Sequence, residues 1–344
     1  MRRARVHIDL AALTHNLNQV RQASPNSKIM AVIKANAYGH GMLKVAQALT
    51  DADGFAVATI GEGLALRKAD ISKTILILQG ASNAQEYQQA AEQRLTLSIH
   101  HNSQLSIFNQ HKGEHPSLWL KFDTGMHRLG FPVGQAEELI NELGEKVNGL
   151  MMHFACADEP ENPANQQQIH AFQQATDAFN LPRSAANSAA ILKMPQTHFD
   201  WVRPGIMLYG ASPLLNVTGQ ALNLKPVMTL AAPLIAINLR KKGEAVGYGA
   251  DYICPEDMPI GVIAIGYGDG YPRHAPSGTP VLINGVECPL AGRVSMDMLT
   301  VDLRSCPSAK VGDHVALWGK DLSVGRIAEM AGTISYELLC AMPA

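Results

Sequence analysis

The sequence has no Cys-x-x-Cys pair, no apolar run long enough to cross a bilayer, no basic stripe and no low-complexity segment. Each absence removes a class of protein. The five cysteines, Cys156, Cys254, Cys288, Cys306 and Cys340, are odd in number and unpaired in spacing. That argues against a disulfide framework or a zinc knuckle and fits a reducing compartment, so no metal is expected. Without a bilayer-length span, a soluble chain with no membrane partner is expected. The basic start Met1-Arg2-Arg3-Ala4-Arg5 runs into Val6-His7-Ile8-Asp9-Leu10, which breaks any secretory apolar core and points to the cytoplasm. The 28 Lys and Arg residues are scattered and the formal net charge is -2, which speaks against a nucleic-acid partner.

What is present is a chain of 344 residues, 47% hydrophobic, enough for one large domain and a smaller one. Eight short apolar segments recur: Ile29–Lys34, Gly54–Thr59, Thr74–Gly80, Leu95–His100, Leu118–Thr124, Leu150–Ala155, Arg183–Ser188 and Trp201–Tyr209. Most are continuous rather than alternating, as strands buried on both faces of a parallel sheet are. Amphipathic stretches such as Met42–Leu49 and Gln166–Phe179 lie between them. Eight β/α units predict a TIM (β/α)8 barrel over residues 10–222, with the polar Arg183–Ser188 included partly on spacing. Beyond it, Val227–Arg240, Gly261–Gly266, Thr279–Cys288, Leu299–Leu303 and His314–Leu317 read as strands, with a helix at Val324–Met330. A second, mainly β domain is therefore expected over residues 223–344, and Val6–Ile8, within residues 1–9, can add a strand to it.

Polar groups collect at the predicted ends of the barrel strands, where catalytic groups of this architecture sit. Lys34 ends the first strand in Ala31-Val32-Ile33-Lys34-Ala35-Asn36-Ala37-Tyr38-Gly39-His40-Gly41. A lysine partly desolvated there has a lowered pKa and an amine free to react with a carbonyl. Taken alone, it also reads as a solvated strand-end lysine. Lys121 and Arg128 follow the fifth strand, His153 the sixth, Asn187-Ser188 the seventh, and Arg203-Pro204-Gly205-Ile206 belongs to the eighth. Ser188 and the Gly205-Ile206 backbone fall where such barrels bind phosphate, through amides and a hydroxyl.

The Ala31–Gly41 segment resembles the cofactor-lysine motif of alanine racemases. Leu120–Gly130, Trp201–Gly210, Val246–Tyr252, Gly266–Tyr271, Gly292–Asp297 and Ser335–Glu337 are similar to further segments of that family, in order along nearly the whole chain. The resemblance implies pyridoxal phosphate held by Lys34 as a Schiff base, with Tyr38, Ser188, Gly205, Ile206 and Tyr336 around its phosphate. It implies Arg128 on the phenolic oxygen, Lys121 as a carbamate orienting Arg128, and Arg203 facing the pyridine nitrogen. Arginine does not give up its proton, so that nitrogen stays unprotonated and the electron sink is moderated. Met296 would seat the substrate carboxylate, while Tyr267 and Tyr336 narrow the entrance.

Racemisation of alanine needs a proton taken from one face and returned to the other. The resemblance gives Lys34 one face and Tyr248 the other, with His153, bonded to Arg203 and Tyr248, supplying positive character. It also implies a homodimer in which Tyr248 completes the partner's site. Standing alone, Tyr248 reads as a turn residue between glycines, and Arg203 as half of a structural salt bridge. A broader amino-acid racemase and a non-catalytic pyridoxal-phosphate carrier are the alternatives, and Tyr248 speaks against the carrier. Arg203 speaks against a decarboxylase of the related kind. Gly266–Gly270 mimics a dinucleotide loop, but Pro272 follows. His111 and His115 sit four apart across Gly113, a poor helical pair for zinc. Cys156 is expected to be a small buried residue. The chain ends eight residues after Tyr336, where family members usually continue with a basic strand.

Overall fold

In the computed structural model, which describes residues 4–342, eight parallel strands lie side by side. They are Lys28–Val32, Gly54–Val57, Thr74–Ile77, Thr96–Ile99, Ser117–Asp123, Val147–Met151, Arg183–Ser184 and Trp201–Val202. The eighth returns to the first, Trp201 opposite Lys28 and Val202 opposite Ile29. Residues such as Ile29, Ala56, Leu76, Leu97, Leu120 and Leu150 are buried. Both faces of these strands are covered, which is why the sequence shows unbroken apolar runs. Across the seam between the seventh and eighth strands, the Ser184 hydroxyl donates to the Trp201 carbonyl at 2.7 Å. The Arg203 N–H donates to the Ala186 carbonyl at 2.9 Å.

Two expected strands are corrected. Trp201–Tyr209 is not one strand: ladder pairing stops at Val202 and Ile206–Tyr209 winds into a 3-10 turn. Pro204 has no N–H to continue a ladder. Thr279–Cys288 is a hairpin of two strands, Pro280–Ile283 and Val286–Pro289. Asn284 and Gly285 turn it with φ of 51° and 79°, the left-handed pair that suits a tight hairpin.

The second sheet is antiparallel and has one spine, the 13-residue strand Met228–Arg240. His314–Trp318 and Arg5–Ile8 pair with its first half, and Met258–Ile263 with its second. Leu299–Asp302 adds to Met258–Ile263, and the hairpin adds to His314–Trp318. A bridge between Leu290 and Val301 links the two ends of the sheet. The chain then returns to the barrel through helices Val324–Met330 and Ser335–Cys340. The second of these lies on the Lys34 loop: a Cβ on Gly39 would stand 2.1 Å from the Leu339 carbonyl oxygen. Among the described residues, no helix is long and apolar enough to cross a membrane.

Candidate active site

Lys34 leaves the first barrel strand into an uncommon backbone. Ala35, Asn36, Ala37 and Tyr38 all have φ between 51° and 55°. A left-handed L-residue costs about 1–2 kcal/mol, so four in succession need support. Asn36 Oδ1 accepts the Met42 N–H at 2.8 Å, and the Ala35 N–H donates to Glu62 Oε1 at 2.8 Å. The His40 ring closes the turn, with Nδ1 2.8 Å from the Tyr38 carbonyl and 3.0 Å from that of Ala37. Those acceptors fix the proton on Nδ1. Burial lowers the His40 pKa to about 4, and the ring packs on Tyr209 at 4.5 Å.

The turn aims Lys34 at a cluster of positive groups. Burial lowers the Lys34 pKa, and the Arg128 charge lowers it further. Lys121, 8% exposed, is lowered to about 8 by burial and then by Arg203 and Arg128. Arg203 is 4% exposed. Its donors end on neutral acceptors: Ser184 Oγ at 2.5 Å, the Met152 carbonyl at 2.6 Å and the Ala185 carbonyl at 3.3 Å. Among the described residues no carboxylate pairs with it, so the salt-bridge reading of Arg203 fails.

His153 Nδ1 lies 3.4 Å from Arg203 Nη2. Arginine only donates, so Nδ1 accepts and Nε2 carries the ring proton. Burial, followed by Arg203, Lys121, Arg128 and Lys34, holds the His153 pKa well below its ordinary value. The ring is neutral, and the charge behind it belongs to Arg203.

After the seventh strand, Asn187 Oδ1 accepts the Ala189 and Ala190 N–H groups and starts the short helix Ser188–Lys193. The Ser188 hydroxyl accepts the Gly205 N–H at 2.8 Å. A Cβ on Gly205 would come within 2.6 Å of the Tyr38 hydroxyl, so only glycine leaves the cradle open. The Tyr336 ring stands 6.0 Å from that of Tyr38, and Ile206 is buried beneath. A cradle of hydroxyls, beside a reactive amine and an arginine without a carboxylate, fits a phosphate-bearing, anionic carbonyl cofactor.

Three expected site residues are exposed. Tyr248 is 69% exposed, Met296 54% and Tyr267 40%. They come from adjoining loops of the β domain. The Tyr267 and Gly268 N–H groups donate to the Ser295 and Met296 carbonyls at 3.1 and 2.8 Å. Arg293, beside Met296 in sequence, approaches Gly249 and ion-pairs with Asp251.

The sequence reading missed Glu62 and Cys340, both of which raise the Lys34 pKa electrostatically. It also missed His100, beside Lys121. The only signal for His100 was its place at the end of the fourth strand. Cys156 is half-buried rather than buried, because it sits in the loop after the sixth strand. Gly266–Gly270 opens no α-helix and winds one 3-10 turn at Tyr267–Asp269.

Comparison with known proteins places these features in context. Residues 8–213 match the family model "Alanine racemase, N-terminal domain", and residues 227–344 match "Alanine racemase, C-terminal domain". The chain is 52% identical to the alanine racemase of Nitrosococcus oceani over 97% of its own length and 95% of that protein's. It is 49% identical to the alanine racemase of Coxiella burnetii, over 99% and 96% of the two chains. Its structure superposes on the biosynthetic alanine racemase of Pseudomonas aeruginosa with a TM-score of 0.97 and 46% identity, covering 100% and 98% of the chains.

Proposed function

The chain belongs to the alanine racemase family, and from that premise we propose how its residues carry the reaction. It is an isomerase that interconverts L- and D-alanine. Pyridoxal phosphate is the proposed cofactor. Lys34 would attach it, Tyr38, Ser188, Gly205, Ile206 and Tyr336 would hold its phosphate, Arg128 its phenolic oxygen and Arg203 its ring nitrogen. Bound there, the cofactor supplies an electron-withdrawing ring that acidifies the substrate Cα–H.

Lys34 Nζ, its pKa lowered by burial and by Arg128, would take or return a proton on one face of the substrate. Tyr248 Oη serves the other face. The Nε2–H of His153, backed by Arg203, would stabilise the anion of that hydroxyl by hydrogen bonding. Arg203 would donate a hydrogen bond to the ring nitrogen without transferring the proton. Lys121, as a carbamate, would turn a repulsive neighbour of Arg128 into an attractive one. Met296 and Arg128 would seat the substrate carboxylate, with Tyr267 and Tyr336 limiting its size. Tyr248, Tyr267 and Met296 would act in the site of a second copy, in a soluble, cytoplasmic homodimer.

The observation that carries the cofactor assignment is Arg203, deeply buried yet bonded only to neutral acceptors. The test is incubation with each L-amino acid, with and without added pyridoxal phosphate, followed by chiral analysis. D-alanine should form only with cofactor present. Its absence in the loaded protein contradicts the reading.

A further inference from the structure

The fourth and fifth barrel strands run parallel in the register Ser98 to Trp119 and Ile99 to Leu120. The register carried one residue past the end of the ladder brings His100 alongside Lys121, and the two interact electrostatically. The Gln79 carbonyl and the Gln104 side chain surround the His100 residue. Its backbone N–H donates to Gln104 Oε1 at 2.9 Å, Nε2 lies 3.0 Å from the Gln79 carbonyl, and Gln104 Nε2 is 3.3 Å away. A carbonyl only accepts, so Nε2 carries the ring proton and Nδ1 presents a lone pair. That Nδ1 is buried without a partner, as is the Ser98 hydroxyl two residues earlier on the same strand. Unpaired buried polar atoms cost stability and call for a reason.

His100 also lines a cavity of about 580 Å3 with Gln79, His101, Gln104, His127 and Arg128. Arg128 lies in this wall and also acts electrostatically on Lys121. The cavity leads from outside the barrel mouth as far as His100 and Arg128, the two residues in its wall that interact electrostatically with Lys121. It lies over strands three to five, away from the Ser188–Gly205 cradle.

We propose that His100 Nδ1 is the proton acceptor for carbamylation of Lys121 by carbon dioxide that enters through this cavity. The proposal rests on the reading that Lys121 works as its carbamate. In the step, the lone pair of neutral Lys121 Nζ forms a bond to the carbon of carbon dioxide. One C=O π pair moves onto oxygen. The nitrogen sheds a proton, which Nδ1 accepts and later releases to solvent. Amine and carbon dioxide thus give a carbamate and one proton. The carbamate keeps one N–H, which Nδ1 can accept, turning the carboxylate away from His100 and towards Arg128. Burial and the Lys121 charge lower the His100 pKa, and the lowered pKa of Lys121, about 8, makes its amine far more available than that of a solvated lysine.

The test follows the carbamate directly. The holoenzyme is passed into carbon-dioxide-free buffer and then given 13C-labelled carbon dioxide. The carbamate 13C resonance is timed in wild type, His100→Phe, His100→Ala and Lys121→Ala. The wild type should gain a resonance that Lys121→Ala lacks. His100→Phe fills the volume without a lone pair, and its resonance should appear roughly 10²-fold more slowly, the scale of a lost general base. Added imidazole should restore the rate of His100→Ala, which a purely structural role would not allow. A wild type without the Lys121-dependent resonance overturns the carbamate reading and this proposal with it. A resonance that returns equally fast in wild type and both His100 variants overturns the role of His100 alone.

Discussion

The two halves of the candidate site are built in opposite ways. The barrel half is finished within one chain. Lys34, Lys121, His153 and Arg203 are drawn into one electrostatic cluster, and Tyr38, Ser188 and Gly205 interlock beside it. The β-domain half is left bare. Tyr248, Tyr267 and Met296 stand in solvent on adjoining loops. Binding a charged, planar cofactor needs preorganised donors in low dielectric, and one barrel can supply those. Delivering a proton to the far face needs a group that approaches from outside the barrel. A large aromatic left exposed for that purpose makes sense if a second copy covers it.

The comparison predicts which substitutions are lethal to function and which to folding. The largest effect should come from Lys34→Ala. It removes the cofactor attachment, so racemisation should vanish. Borohydride should fix cofactor onto the Lys34 peptide of the wild type and onto no lysine of the variant, read by peptide mass spectrometry. Reduction onto another lysine would move the reactive centre elsewhere in the barrel.

Tyr248→Phe should come next. Racemisation should fall 10²–10⁴-fold in both directions, the range for a lost acid–base group. Because the side chain is exposed, stability should change by no more than about 0.5 kcal/mol. Solvent deuterium should still enter D-alanine faster than L-alanine, as Lys34 keeps its own face by resemblance to the family. Equal exchange into both enantiomers would erase the division of labour between the halves.

Ser188→Ala should act more mildly and only on the barrel half. It removes one hydroxyl from the cradle and leaves the Gly205 N–H without its acceptor. Cofactor affinity should fall by about tenfold, the scale of one hydrogen bond to a charged group, with kcat of the saturated enzyme largely kept. Affinity measured by equilibrium dialysis that matched wild type would remove Ser188 from the cradle.

The smallest effect concerns the turn itself. The His40 pKa is about 4 in the fold against about 6.5 unfolded. The unfolded chain therefore binds the extra proton between those values, and stability rises with pH across that window. The contribution is present above about pH 6.5 and is lost as pH falls towards 4. Thermal melts should show part of the acid loss removed in His40→Asn. An unchanged pH slope would mean that His40 is not buried neutral.

The barrel was legible in the sequence because burial on both faces writes itself as uninterrupted apolar runs, from Ile29 to Leu150. The matching site positions were legible because strand ends in such a barrel converge. The left-handed turn after Lys34 was not legible. Ala35, Asn36, Ala37 and Tyr38 include no glycine, and the strain is held by Glu62 and Met42, distant from the turn in sequence or outside its period. The hairpin at Asn284-Gly285 did carry a signal, an Asn-Gly pair between apolar runs, which a longer strand absorbed. His153 lies two residues past the end of the sixth strand, and its lowered pKa depends, after burial, on four cations gathered from four other points of the barrel. No local pattern records that sum. The exposure of Tyr248 was equally hidden, since a tyrosine between two glycines reads the same in a turn or a site.

Subunit complementation between Lys34→Ala and Tyr248→Phe bears most directly on the central claim, that the two halves act together across two copies. Neither variant should racemise alanine by itself. After subunit exchange, half the dimers should be mixed, and each mixed dimer should hold one site with both groups intact. By symmetry, activity should recover to about a quarter of the wild-type value. If exchange is verified by native mass spectrometry and no activity returns, both groups must come from one chain and the shared site is wrong.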